Sequence, residues 1–106
     1  MLEKQVLYTK TDEKVIERLI DEAAVAVNHM VLPKGTGLPD HVANAPVYMI
    51  IARGQITLQL DEQEAHTYEA GHVILIPYKT QMRVNNTGDA VTELFVVKAP
   101  GPRSLA

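Results

Sequence analysis

The chain has 106 residues, of which 46% are hydrophobic and 22% charged; its net charge is −3 and it contains no cysteine. That composition excludes a disordered chain, a basic surface that tracks a phosphate backbone, and disulfides, zinc ribbons and cysteine nucleophiles. No apolar run approaches the ~20 residues of a membrane helix. Met1–Leu7 carries Glu3 and Lys4 and lacks an apolar signal core. A cytoplasmic protein is expected, with neither nucleic acid nor membrane as partner.

In chain order, Gln5–Tyr8 reads as a short strand. Thr11 then has the character of a helix N-cap, with Asp12 and Glu13 in the first turn. Val15, Ile16, Leu19, Ile20, Ala23 and Ala24 follow at helical spacing, so an amphipathic helix is expected over Asp12–Ala23. From Val25 to Lys98 the pattern changes to short Val- and Ile-rich runs broken by Gly, Pro, Asn and Asp. Val25–Leu32, Val47–Ala52, Gln55–Leu60, His66–Tyr68, Val73–Ile76, Met82–Val84 and Val91–Val97 are the expected strands, and in Gln55–Leu60 the alternation is strict. Pro100–Ala106 reads as a loose tail. Many short strands with turns between them indicate an all-β sandwich or barrel. The chain is therefore expected to be one domain over 1–106, with a barrel core at about 25–98, an N-terminal strand and helix in 1–24, and the tail at 99–106.

The punctuation of the middle of the chain resembles the cupin family. Its first motif, G-x5-H-x-H-x(3,4)-E-x6-G, is met by Gly35, His41 and Gly54. Its second, G-x5-P-x-G-x2-H-x3-N, is met by Gly71, Pro77 and Asn86. The resemblance is to small single-domain cupins of the RmlC-like, cupin 2 conserved barrel type. It implies an antiparallel β-barrel, a double-stranded β-helix or jelly roll, here with a short N-terminal helix, and it implies a homodimer.

The family's metal ligands are two histidines and a glutamate in the first motif and a histidine in the second. Here His41 keeps the first place, while Ala43, Val47 and Met82 stand at the other three. Lys79 replaces the second motif's middle glycine. A mid-barrel Fe, Mn or Zn needs three or four His or carboxylate ligands, so the motif places predict no cofactor. A rebuilt divalent-metal site from His29, His41 and Glu93 is the alternative, if His29 and Glu93 both face the lumen.

The pocket candidates are His41, Ala43, Val47, Met49 and Met82, with Asn44 and Tyr48 beside them and Tyr78 as a further rim hydroxyl. His66 and His72 read as surface residues by their polar context. No Ser-His-Asp order, phosphate loop or zinc motif is present, and the residues name no reaction. Three functions stay open: a cupin binding a small, partly hydrophobic molecule in a largely apolar pocket near His41; a metal-dependent oxygenase or isomerase with a rearranged site; and a structural or oligomerising barrel filled by its own side chains.

Overall fold

A computed structural model describes all 106 residues. Nine strands are followed by a single 3-10 turn: β1 Val15–Asp21, β2 Ala26–Leu32, β3 His41–Val42, β4 Val47–Arg53, β5 Gln55–Leu60, β6 His66–Glu69, β7 Val73–Ile76, β8 Gln81–Asn85 and β9 Thr92–Lys98, then Pro102–Leu105. They form a five-stranded sheet in the order β1-β2-β9-β4-β7 and a four-stranded sheet in the order β3-β8-β5-β6. Every pairing is antiparallel. The expected all-β jelly-roll architecture is what the chain adopts.

Alternation along the strands builds the core. In β4, Val47, Met49 and Ile51 are buried while Tyr48, Ile50 and Ala52 are exposed. β9 sends Thr92, Leu94 and Val96 to the same inner side, and β2 sends Met30 and Leu32. Against them pack Ile56, Leu58, Met82 and Val84 of the second sheet. Two motif residues prove to be turn devices. Gly54 links β4 to β5 at φ +72°, and a Cβ there would run into the Val91 carbonyl. Asn86 is buried; its Nδ2 donates to the carbonyls of Leu32 (2.9 Å) and Ala90 (2.8 Å), and its Oδ1 accepts from the Gly88 N–H (2.9 Å).

The N-terminal part departs from the helical pattern. Val15–Asp21 is a strand, and neither Asp12–Ala23 nor any other segment forms an α-helix. The spacing misleads because a register shift between Arg18 and Ile20 changes the parity of β1 half-way along, so apolar pairs at 15–16 and 19–20 serve an irregular edge strand. The β-branched Val15, Ile16 and Ile20 favour that state. The Thr11 signal has a local basis: its Oγ1 accepts the Glu13 N–H at 3.0 Å, a side-chain turn that leads into extended chain instead of a helix. Gln5–Tyr8 forms no strand. The tail is not loose either. The Gly101 N–H donates to the Ala23 carbonyl (2.9 Å), and Arg103 Nε lies 3.3 Å from Asp21 Oδ2.

Lys79, at the place of a family glycine, holds the left-handed conformation (φ +70°) while its N–H donates to the Ala43 carbonyl at 2.9 Å. A non-glycine residue is disfavoured there by roughly 1–2 kcal/mol, and glycine gives back about 0.5–1 kcal/mol through its more mobile unfolded chain. Lys79→Gly is therefore expected to stabilise the fold by up to about 1 kcal/mol, read as an increase in the denaturant midpoint at unchanged slope.

Candidate functional site

Two polar constellations occupy opposite sides of the five-stranded sheet. The inner one opens into the lumen. His41 begins β3, where it pairs with Met82 of β8. His41, Ala43, Asn44, Val47, Met49 and Met82 line a single cavity together with Met30, Leu38, Val96 and Lys98. Its volume is about 40 Å³. That is room for very few waters, far below the few hundred Å³ of an ordinary ligand pocket.

The walls are apolar, and the polar groups gather at the rim. His41 Nδ1 donates to the Pro39 carbonyl at 2.9 Å, which leaves Nε2 as the ring's acceptor. Lys98 Nζ donates to Asn44 Oδ1 at 2.8 Å. Burial pushes the Lys98 ammonium down from its ordinary value, and the nearby Arg18 adds to the shift.

Tyr48 does not join this cavity. It lies on the outer face of β4, in a shallow groove with Pro46, Leu75, Ile76 and Pro77. Tyr78, His66 and His72 are exposed. At the four metal-ligand places of the family pattern, the structure brings together one imidazole, one thioether and two side chains without donors. That set does not fit Fe, Mn or Zn.

The outer constellation contains His29 and Glu93. His29 is fully buried, yet it faces away from the lumen, opposite Phe95. Its Nδ1 lies 2.7 Å from Glu17 Oε2 and its Nε2 lies 2.6 Å from Glu93 Oε2. Each ring nitrogen thus lies within hydrogen-bond distance of a carboxylate oxygen. Glu93 Oε1 accepts from Arg53 Nε (3.0 Å), and Arg53 also reaches Asp12 Oδ1 (2.8 Å) and the Thr11 carbonyl (3.1 Å). Tyr8 covers the ring, 4.6 Å from the His29 centroid and edge-on to Phe95 at 5.1 Å. Glu17 meanwhile accepts the Thr9 N–H at 2.8 Å and its hydroxyl at 3.0 Å.

His29 and Glu93 thus meet each other but not His41, which stands on the lumen side. The ring's two nitrogens point in opposite directions, and no group of three His or carboxylate side chains is placed to share an ion. The cluster is a strap lock that pins Tyr8–Asp12 across the sheet.

A family model for the cupin domain matches residues 28–98. The chain is a cupin. An uncharacterized protein of Methanocaldococcus jannaschii is 41% identical over 92 residues, 87% of this chain and 79% of the relative. The crystal structure of an RmlC-like cupin family protein with a double-stranded β-helix fold from the same organism superposes on this cupin with TM-score 0.95 at 39% identity, covering 99% of this chain and 97% of that one. A cupin 2 conserved barrel domain protein from Salinispora arenicola shares the fold at TM-score 0.73 and 19% identity, over 92% and 87% of the two chains. No helix of this cupin is long and apolar enough to cross a membrane.

Sequence reasoning missed Lys98, Glu17 and Arg53. Lys98 has the parity of Leu94 and Val96, a signal that was there to be read. Glu17 and Arg53 carry none, because Glu17 lies in the segment expected to be a helix and Arg53 follows a register shift at the end of β4.

The lock makes stability depend on pH in a definite sense. Hydrogen bonds from the Thr9 backbone and from His29 hold Glu17 below the ordinary carboxylate range. Burial pushes Glu93 up, but the hydrogen bonds from His29 and Arg53 outweigh it and the net shift is downward. Depressed carboxylates contribute stability above their unfolded pKa that is lost as pH falls through the folded one. The melting temperature of the wild type is expected to drop as pH falls below the ordinary glutamate range, and that of Glu93→Gln to start lower and fall less steeply. At neutral pH, trypsin should cut after Lys4 in the exposed arm well before Lys10 in the strap, and Glu17→Gln should abolish that preference.

Proposed function

We propose that this cupin is a binding protein that takes a compact, mostly apolar small molecule into its lumen, with His41, Asn44 and Lys98 at the entrance. The observation that carries this reading is the wall: Met30, Met49 and Met82 all border the cavity and all belong to the core. Methionine is unbranched, with three rotatable bonds, so a wall of three can re-pack around a guest at low cost. A small closed cavity bordered by such side chains is a pocket that enlarges on binding. The polar rim would orient the guest, and the missing metal donors argue for binding over oxygenase or isomerase chemistry.

The test uses butanol, hexanol and octanol as probes in a thermal melt. A ligand at ten times its Kd stabilises by about 1.4 kcal/mol, a rise of roughly 5 °C for a domain this size. A rise that grows with chain length, and that is lost in Met82→Trp, supports the reading. No rise with any of the three, together with a Met82→Trp protein clearly less stable than the wild type, means the barrel is simply filled.

A second reading, an oligomerising barrel, is favoured by the outer face of β4 and β7. Tyr48 stands opposite Leu75 and Ile50 opposite Val73, all four exposed, with Leu75 at 66%. The strap covers only the other half of this sheet. Beyond it, Met1–Leu7 is exposed and carries Leu2, Val6 and Leu7. A contiguous apolar face of this kind suits a second copy of the chain. Light scattering is expected to give twice the 11.7 kDa chain mass. Ile50→Lys should return the monomer; a wild-type monomer at micromolar concentration removes this reading without touching the first.

A further inference from the structure

A groove of about 280 Å³ runs between β1, the ends of β2 and β9, and the closing 3-10 turn. Arg18, Lys98 and Arg103 line it with one side-chain carboxylate, Asp21. Counting side chains alone, this is a local surplus of two positive charges on a chain of net charge −3, and Ala106 also lines the groove. Arg18 Nη1 and Arg103 Nε both lie 3.3 Å from the same Asp21 Oδ2, so a single oxygen draws the two guanidinium groups together. Lys98 pairs with no carboxylate; its partner is the neutral Asn44.

Exposed arginines alone would be ordinary surface. A second observation sets this groove apart. Asn28 lines it, and Asn28 lies on the lumen side of β2. Asn28 shares the inward parity of Met30 and Leu32, and its cross-strand neighbour is Arg18. The groove is therefore an extension of the lumen face and not a separate outer surface. Asn44 and Lys98 line both the groove and the methionine cavity, so their 2.8 Å hydrogen bond stands at the boundary between the two.

We propose that this groove binds the head of a small organic anion, a carboxylate or phosphate, whose apolar tail passes the Lys98–Asn44 contact into the lumen. The inference rests on the lumen reading above and specifies its ligand class. The two guanidinium groups would meet the anion as planar donors. Lys98, drawn toward the anion, would release Asn44 and open the passage. A neutral guest of the same length gains only the lumen part.

The experiment compares hexanoate, hexyl phosphate, hexanol and acetate by calorimetric titration at low salt. One of the two six-carbon anions is expected to bind at least tenfold more tightly than hexanol, and which of them is tighter identifies the head group. That advantage should shrink severalfold in Arg103→Gln, a change on the surface turn, and in Lys98→Gln, each first shown to melt as a folded protein. It should also shrink as salt is raised. Hexanol binding as tightly as both anions overturns the inference and leaves the lumen reading intact. Acetate binding as tightly as hexanoate overturns the shared site, because the tail then contributes nothing. Absence of binding by all four overturns both readings.

Discussion

The register of β2 on β9 places Met30 opposite Leu94 and His29 opposite Phe95. Because side chains alternate across a strand, that one pairing assigns every chemically interesting residue nearby to a side. Asn28, Met30, Leu32, Leu94, Val96 and Lys98 go to the lumen. His29, Glu93 and Phe95 go to the opposite face. A slip of one residue would put a histidine and a glutamate into the apolar lumen and two core residues into the strap interface. The register is strongly specified because both faces of β2 are covered, the inner by the second sheet and the outer by Tyr8 and the carboxylates. The barrel and the strap lock are thus two consequences of the same ladder.

The two faces use polar groups differently. On the outer face each charge is matched: His29 lies between Glu17 and Glu93, and Arg53 joins Glu93 to Asp12 and the Thr11 carbonyl. A buried charge is tolerable when it is paired and hydrogen-bonded, and this network leaves its ring nitrogens and the Arg53 fork satisfied. It organises the chain by fixing where residues 8–12 run. On the lumen side the balance is left open, with Lys98 without a carboxylate. Matched charge is what a structural lock requires. Unmatched charge beside a cavity is what a site for an incoming group requires.

The strands from β4 to β9 are legible as short apolar or β-branched runs, strictly alternating in β5, that Gly54, Pro77 and the Asn86 turn punctuate. The motif positions carried further than the individual residues did: 41, 43, 47 and 82 surround one cavity even though three have lost their donors. What stayed hidden has specific causes. The parity of β2 could not be read, since Val27, Val31, Met30 and Leu32 are apolar on both sides of a strand covered on both sides. β1 was hidden by a register shift that imitates helical spacing. The tail, read as loose, is held by the Gly101 N–H and by Arg103, contacts to β1 and the turn after it that no local pattern announces. Since the groove is built from β1, β2 and that tail, the least legible parts of the sequence are the ones that frame the candidate site.

The losses at the motif and the gains at the mouth are connected. A divalent ion in a barrel draws anionic groups inward and fixes them by its charge. With Ala43, Val47 and Met82 at the ligand places, that charge is absent from the lumen and methionine fills part of the space instead. Arg18, Lys98 and Arg103 place a surplus of the same sign at the rim, where it costs less because it remains partly in water. Moving the charge from the centre to the entrance changes what the barrel can do. A central ion polarises a bound molecule at its reactive atoms, whereas in the proposed complex a rim of arginine and lysine would hold an anionic end and leave the remainder in apolar surroundings.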